Sequence, residues 1–393
     1  MRKRIAALFW FSTLIFAVCI LFEVKQADRE AGTNIFYASE QNAEKQTEQQ
    51  ILTLQKEQEG LYAYECLGEK EKEIYAQIYV SLVQMQETEI STTDTDAIEK
   101  VFQCVLNDHP EIFYVEGYAF TKYSRGNKIT KIIFQASYTM EKEEVEEKRR
   151  AIEEKATEIL AGIPADAADY EKIKYIYEYI IKNTEYNVTA ENNQNICSVF
   201  LGGQSVCQGY AKATQYLLSK TGVKSTMVVG FVEAGEGHAW NLVYANGEPY
   251  YVDTTWGDAS YRMTTTESYE VNNLPVINYD YLCVTTEQLC KTHRIDNVVS
   301  MPDCTAVKDN YYVREGAYFT EFNEEQLEQL FDKSYAERKD YITLQCADEN
   351  VYLSMNDELI TGQKIFSYMD TSDGVIAYSQ NEEQFSLSFW LSE

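Results

Sequence analysis

The chain has 393 residues, of which 45% are hydrophobic and 31 are tyrosines, so wholesale disorder is excluded and two or three domains are expected. Its 63 acidic and 34 basic residues give a net charge of −29, which disfavours binding to nucleic acid or to anionic lipid. The same charge mildly favours cationic substrates, although acidity that only maintains solubility is the simpler interpretation.

The first predicted element is a membrane anchor at residues 1–23. Arg2, Lys3 and Arg4 precede an uncharged, mostly apolar run at 5–22, and Glu23 ends it. Eighteen helical residues reach about 27 Å, near the minimum that spans a bilayer. The basic flank predicts that the rest of the chain lies outside the cytoplasm. A secretory signal peptide that is cleaved is the alternative, and in both interpretations the body of the protein is exported.

An N-terminal α+β module is predicted to follow a flexible linker. Residues 24–60 are rich in Gln, Glu, Lys and Ala, a composition typical of a tether. The module covers residues 61–164 and carries no visible chemistry. Apolar spacing predicts its helices at 69–88, 96–107 and 140–160, and its strands at 112–115, 118–123 and 128–138.

The second module, at residues 165–295, contains a cysteine at a predicted helix start. After an amphipathic helix at 170–183, a glycine-rich loop leads into a helix at 206–220. Ser205 is a favourable N-cap, and Gln208 three residues later completes a capping box, which makes Cys207 the second helical residue. Unpaired N–H groups and the helix dipole stabilise a thiolate there. A small buried structural cysteine is the commoner alternative.

A predicted hairpin brings a histidine and an aspartate together. Asn246-Gly247 favours a two-residue type I′ turn, which pairs Ala245 with Glu248. In that register His238 and Asp253 lie on one face as diagonal neighbours, so an imidazole and a carboxylate meet. The predicted strands are at 224–232, 238–244 and 249–255.

Cys207, His238 and Asp253 together predict nucleophilic catalysis. The imidazole takes the thiol proton and later returns a proton to the leaving group, while the carboxylate fixes the tautomer and supports the cationic ring. Individually, His238 is compatible with a structural role, and Asp253 is compatible with capping a turn at Thr254 and Thr255. Their conjunction favours catalysis.

No metal or other cofactor is predicted. The three histidines, at 109, 238 and 293, lie far apart in sequence, and neither a CxxC pair nor an HExxH motif occurs. His109 beside Pro110 is interpreted as a turn residue. His293 has no partner nearby in sequence and is interpreted as structural.

Three motifs resemble the transglutaminase-like superfamily, over about a third of the chain at 165–290. The resemblance implies a papain-like α+β fold in which a helix bearing the cysteine packs on an antiparallel sheet bearing the other two residues. It implies Cys207 as the nucleophile, His238 as the base and Asp253 as its orienting partner. It does not imply calcium, because no calcium loop of the animal transglutaminase kind is present. The matching segments are Gly203 to Ala211, Gly237 to Asn241 and Tyr251 to Asp258.

Secondary site residues are predicted from their position near the triad. An oxyanion hole needs the Cys207 backbone N–H and a second donor, for which Gln204 and Gln208 are candidates. The candidate wall residues of the site are Trp240, Trp256 and Tyr210.

A C-terminal α+β module is predicted over residues 296–393. Asn323 is predicted to cap a helix with an apolar face formed by Leu327, Leu330 and Phe331. Strands are predicted at 341–346, 375–378 and 385–391.

The sequence therefore predicts an exported, membrane-anchored or secreted thiol enzyme. We expect Cys207 to form a thioester with a carboxamide of a protein or peptide substrate, and an amine or water to resolve it. The alternatives are a cysteine protease of the same fold and a catalytically silent cell-surface binding module. No nucleic-acid partner is expected, and membrane contact is expected only through the N-terminal segment.

Overall fold

The computed structural model of the protein describes residues 51–258, 275–369 and 374–391. They fall into two compact units, one containing residues up to 154 with 296–301, and the other containing 155–295 with 302–393. The predicted anchor at 1–23 and most of the predicted linker lie outside the described residues. Among the residues that are described, no helix is both long and apolar enough to cross a membrane.

The first unit is a helical layer on a three-stranded antiparallel sheet of order β1-β3-β2. Asp94 begins the helix Thr95–Asp108 because its carboxylate accepts hydrogen bonds from the N–H groups of Asp96 and Ala97. The predicted strand at 112–115 is wrong, since this segment turns and pairing begins only at Val115. The elements are helices α1 (Tyr62–Glu65), α2 (Glu69–Gln84) and α3 (Thr95–Asp108), and strands β1 (Thr88–Ile90), β2 (Val115–Arg125) and β3 (Lys128–Tyr138). Helix α4 (Lys142–Leu160) crosses the boundary between the units.

The second unit contains a five-stranded antiparallel sheet of order β10-β6-β7-β8-β9, against which the cysteine-bearing helix packs. A two-stranded parallel pair, β4-β5, precedes that helix. The elements are helices α5 (Asp169–Asn183), α6 (Cys207–Lys220) and α7 (Thr286–Leu289), and strands β4 (Glu185–Tyr186), β5 (Gln204–Ser205), β6 (Ser225–Val232), β7 (Gly237–Ala245), β8 (Glu248–Val252), β9 (Leu282–Val284) and β10 (His293–Ile295).

The register of the β7-β8 hairpin is confirmed. Ala245 pairs with Glu248 and Asn241 with Val252, as the type I′ turn requires. Both turn residues have positive φ, 53° at Asn246 and 86° at Gly247, values that asparagine and glycine tolerate best.

The predicted strand at 249–255 is three residues too long, because β8 ends at Val252. Asp253 ends it: one carboxylate oxygen accepts hydrogen bonds from the N–H groups of Thr255 and Trp256, at 2.9 and 3.0 Å. Such a local side-chain to backbone bond curls the chain into a turn and competes with the strand ladder. Asp253 therefore does cap a turn, as the alternative interpretation expected.

The predicted capping box at α6 is wrong. The N-cap is Val206, no side chain caps the helix, and Cys207 is the first helical residue. Ser205 lies in β5, and its hydroxyl donates to the Asn193 carbonyl at 2.9 Å. A Cβ on Gly209 would lie 1.9 Å from that hydroxyl oxygen, so only glycine permits this approach of the loop to the helix.

The C-terminal region adds a four-stranded sheet of order β11-β12-β14-β13 to the same unit. Asn323 caps α9 as predicted, with its side chain accepting from the N–H of Gln326. The predicted strand at 375–378 is displaced to 378–381, and the other two are confirmed within a residue. The elements are helices α8 (Tyr311–Glu315), α9 (Glu324–Ala336) and α10 (Glu349–Asn356), and strands β11 (Tyr318–Phe319), β12 (Tyr341–Cys346), β13 (Tyr378–Asn381) and β14 (Ser386–Trp390).

Hydrogen bonds join this region to the short turn Tyr279–Tyr281, which leads into β9. The carboxylate of Asp280 accepts from the hydroxyl of Tyr312 at 2.6 Å, from the amide of Asn381 at 2.7 Å and from the hydroxyl of Ser386 at 2.9 Å. The predicted C-terminal module therefore shares a compact unit with the predicted catalytic module, and the domain boundaries at 164 and 295 stay predictions.

Candidate active site

Cys207 lies at the first position of α6 and is 9% exposed. Its side chain packs with Ala211 of the same helix, Met227 of β6 and Ala239 of β7. Because no side chain caps α6, the N–H groups of its first turn are left for another acceptor. The expected thiol at the positive end of a helix is thus present, one position earlier than predicted.

His238 lies between the thiol and the carboxylate. Its Nε2 is 2.7 Å from Oδ2 of Asp253, and the ring also hydrogen-bonds the thiol of Cys207. Since Nε2 faces Asp253, Nδ1 is the ring nitrogen left for the sulfur. Burial opposes protonation of the ring, but the charge of Asp253 and the hydrogen bonds to Asp253 and Cys207 raise the pKa of His238 to about 10.

Asp253 is completely buried and accepts four hydrogen bonds. The two backbone donors occupy Oδ1, while Oδ2 faces the ring nitrogens of His238 at 2.7 Å and of His293 at 3.1 Å. Burial alone would favour the neutral acid, yet the charges and hydrogen bonds of the two histidines hold the pKa of Asp253 well below its ordinary range. The carboxylate is therefore ionised at neutral pH.

The structure brings His293 into this cluster, which the sequence interpretation missed. Strand β10 pairs with β6, with His293 opposite Val232, and this long-range pairing delivers the ring to Asp253. Burial lowers the pKa of His293, and the nearby His238 adds to that effect. No local pattern around 293 signals the contact, because it depends on which strand β10 joins.

Two imidazoles and a carboxylate are also a set of ligands that transition metals bind, and the three ligand atoms lie within 4.8 Å of one another. The nitrogen–oxygen separations of 2.7 and 3.1 Å are hydrogen-bond distances, so both ring nitrogens already hydrogen-bond the carboxylate of Asp253. The absence of a metal or other cofactor stays a prediction.

The two oxyanion candidates differ in availability. The carboxamide of Gln204 accepts from Asn187 at 3.0 Å and donates to Glu185 at 3.1 Å, so it is held against β4. Gln208, freed from the predicted capping box, makes no side-chain hydrogen bond to any other described residue. The backbone N–H groups at the start of α6, which no side chain caps, remain as the donors next to Cys207 in the chain.

The three predicted wall residues take different positions. Trp240 is buried and stacks on the ring of His238, with centroids 5.9 Å apart. Trp256 is half-buried, 6.3 Å from the ring of His238 and 4.8 Å from that of His293. Tyr210 is completely buried and donates to the Asp258 carboxylate at 2.6 Å, a contact that involves none of the triad residues.

Comparisons with known proteins agree with this geometry. Residues 154–256 match the model of the transglutaminase-like superfamily. This range includes Cys207, His238 and Asp253 but ends before His293.

The curated relatives match about a quarter of the chain. Kyphoscoliosis peptidase of Mus musculus is 28% identical over 116 residues, covering 25% of this chain and 18% of the mouse protein. The Homo sapiens protein of the same name is 28% identical over 105 residues, covering 23% of this chain and 16% of the human protein. The match therefore spans less than a fifth of either relative. A crystal structure of a TGase superposes with a TM-score of 0.26 at 14% identity, covering 36% of this chain and 44% of that one.

Proposed function

Because residues 154–256 form a transglutaminase-like core domain, we propose that the protein is a thiol enzyme that transfers an acyl group from a protein or peptide amide. The observation that carries the proposal is the hydrogen-bonded series from the thiol of Cys207 through the ring of His238 to the carboxylate of Asp253. A nucleophile, a base and a group that orients the base are the three parts that this chemistry needs.

The proposed reaction begins with a thiolate on Cys207 and an imidazolium on His238. The sulfur attacks the carbonyl carbon, and the carbonyl oxygen becomes an oxyanion that the N–H groups of Cys207 and Gln208 stabilise. The carbon–nitrogen bond then breaks, the leaving amine takes the Nδ1 proton of His238, and a thioester remains. Neutral His238 next takes a proton from an incoming amine or water, which attacks the thioester and releases the thiolate.

Asp253 supports both halves of this cycle. It binds Nε2–H, so the Nδ1 atom of His238 stays directed toward the sulfur. Its negative charge also stabilises the imidazolium, which is the protonation state that pairs with a thiolate.

Incorporation of a tagged primary amine into a glutamine-containing protein tests the proposal. Residues 51–393 with the native cysteine are expected to label the protein, and Cys207→Ala is expected not to. A matched control is Cys304→Ala, which removes a buried cysteine outside the triad. Labelling that persists in the Cys207→Ala protein would contradict the proposed nucleophile.

Hydrolysis is the second candidate, and the relatives favour it because both are named as peptidases. Water then resolves the thioester, and the products are new N-termini rather than labelled glutamines. Sequencing of the substrate after the same incubation separates the two reactions. Exclusion of water from the site and access for a lysine decide between them.

A catalytically silent module is the alternative from another class, and the alkylation of Cys207 by iodoacetamide tests it. The modified peptide is quantified by mass spectrometry, since the chain has nine cysteines. We expect alkylation at pH 6 to be faster than that of a free cysteine, because the imidazolium holds a thiolate beside it. A rate equal to that of free cysteine would support the silent module.

We also propose that the enzyme acts outside the cytoplasm. The support is the basic flank and apolar run of residues 2–22. Protease treatment of intact cells that express the full chain is expected to degrade it, and cytoplasmic protection would contradict the proposal.

A further inference from the structure

We propose that His293 is a positioning residue for the reaction: it fixes Asp253 for His238, and hydrogen bonds from the C-terminal region fix His293 in turn. This inference rests on the proposed function, since it assigns a role within the same thiol chemistry. His293 lies beyond the residues that match the superfamily model.

The first step of the argument is the sharing of one oxygen atom. Oδ2 of Asp253 receives the Nε2 atoms of His238 and His293, at 2.7 and 3.1 Å. A carboxylate oxygen has two lone pairs, so the two rings complete its capacity. Oδ1 is held by the turn at 255–256. Without His293, Oδ2 would have only the ring that it is meant to orient.

The second step is the tautomer of His293. Its Nδ1 lies 2.8 Å from the hydroxyl of Thr292, and that hydroxyl lies 3.2 Å from the hydroxyl of Tyr281. Because Asp253 is ionised, the ring nitrogen that lies 3.1 Å from its Oδ2 carries the proton, so a neutral His293 has Nε2–H and its Nδ1 accepts from the hydroxyl of Thr292. That hydroxyl also lies 3.4 Å from the carbonyl oxygen of Leu289, but its 2.8 Å contact with Nδ1 is the shorter of the two. Burial raises the pKa of Tyr281, so its hydroxyl keeps the proton that it donates to Thr292.

The third step connects this series to the C-terminal region. The side-chain amide of Gln384, between β13 and β14, donates to the hydroxyl of Tyr281 at 3.4 Å and to the carbonyl of Gln288 at 3.3 Å. Gln384 is buried, so these groups have no water to replace them. Donors therefore run in one direction from Gln384 through Tyr281, Thr292 and His293 to Asp253.

Packing keeps the ring of His293 in place. Its centroid lies 5.1 Å from that of Trp240, 4.8 Å from Trp256 and 5.5 Å from Tyr281. Among the described residues, the titratable groups that interact with Asp253 or His293 include His238, itself in contact with Cys207, and the phenols of Tyr177 and Tyr281. Burial raises the pKa of both phenols, so they stay neutral and the carboxylate is the anion that His293 faces.

Two amide substitutions at one position test the proposal. Glutamine carries its amide nitrogen near the Nε2 position of histidine, whereas asparagine carries it near Nδ1, so only His293→Gln reaches Asp253. We expect His293→Asn to slow alkylation of Cys207 at pH 6 about 10- to 100-fold, by analogy with the range seen when a residue that orients a metal-binding side chain is replaced. His293→Gln is expected to retain most of the rate.

The pH profile of alkylation separates positioning from mere packing. The hydrogen bond from His293 lowers the pKa of Asp253. Loss of this bond in His293→Asn is therefore expected to move the acidic limb of the alkylation rate profile to higher pH, whereas His293→Gln keeps the bond and is expected to leave that limb unchanged. Tyr281→Phe, which removes one hydroxyl and keeps the ring, is expected to move it in the same direction by less.

Equal profiles for His293→Asn and His293→Gln would overturn the inference, as would a Tyr281→Phe profile identical to that of the unaltered protein. If the unaltered protein shows no enhanced alkylation at pH 6, the proposed function fails instead, independently of His293. Melting curves of all variants identify losses that come from unfolding.

Discussion

Replacement of Asp253 by asparagine is the sharpest test of the site. The change keeps the size of the side chain and an oxygen for the two backbone N–H groups of the turn. It removes the negative charge and points an N–H₂ group at the Nε2 atoms of His238 and His293. His238 is then forced into the Nδ1–H tautomer, which cannot take a proton from the thiol of Cys207.

The size of the effect follows from the protonation of His238. Asp253 and, to a smaller extent, Cys207 raise the pKa of that ring to about 10 from an ordinary value of 6.5, against the opposing effect of burial. In Asp253→Asn the larger of these two contributions is lost while burial still lowers the pKa of His238, so we expect the ring to be neutral at pH 7. The corresponding change in Ser-His-Asp proteases costs about 10⁴-fold in rate, and we expect a loss of about 10³- to 10⁴-fold in acyl transfer here.

Nitrogen NMR of the imidazole rings measures the result directly, because the chain has only three histidines. In the unaltered protein the ring of His238 is expected to stay protonated up to about pH 10, and in Asp253→Asn to be neutral at pH 7. Asp280→Asn is the control, since it neutralises another buried carboxylate that binds neither His238 nor Cys207. An unchanged titration of His238 in Asp253→Asn would refute the electrostatic reasoning.

Three further predictions concern stability. Because the pKa of His238 is raised, its protonation contributes stability that is complete below pH 6.5 and is lost as the pH rises through about 10. We therefore expect the difference in free energy of unfolding between the unaltered protein and Asp253→Asn to shrink over that range. A constant difference in denaturant titrations would contradict this prediction. Burial lowers the pKa of Lys212 to about 8, and this lysine has no ion-pair partner among the described residues. We expect Lys212→Met to stabilise the protein at pH 7 by up to about 3 kcal/mol, and this gain to fall as the pH rises toward 10.5. Equal stability of the two proteins at pH 7 would refute a buried ammonium. Gly230→Ala is expected to destabilise the protein by about 1–3 kcal/mol, because the added Cβ would lie 2.1 Å from the carbonyl oxygen of residue 294. Gly202→Ala is the control, since its added Cβ would meet no atom within 4 Å, and calorimetry should find its stability nearly unchanged.

Short-range patterns determined much of the fold. The apolar spacing of α3 and α5, the Asn246-Gly247 turn and the Asn323 cap each specify structure over a few residues, and the structure agrees with them. The hairpin register reached further, because a two-residue turn fixes every later pair as far as Asn241 and Val252. Beyond that pair Asp253 turns the chain, and its carboxylate still lies 2.7 Å from the ring of His238.

Local preference failed where a distant partner competed for the same group. Ser205 is a good N-cap by type, yet its hydroxyl bonds the carbonyl of Asn193 and leaves α6 without a side-chain cap. Gln204 was a donor candidate by proximity, but Asn187 and Glu185 hold its carboxamide.

The sequence by itself indicated the three groups of the proposed reaction, because a helix start and a hairpin turn are local features. Only the tertiary structure decided how they meet, since α6 packs on β6 and β7 and so places Cys207 beside His238. It also decided the surroundings of Asp253, since His293 pairs with Val232 of β6, 61 residues earlier in the chain. Pairing of distant strands depends on packing of the whole sheet, and no pattern within a few residues of position 293 encodes it.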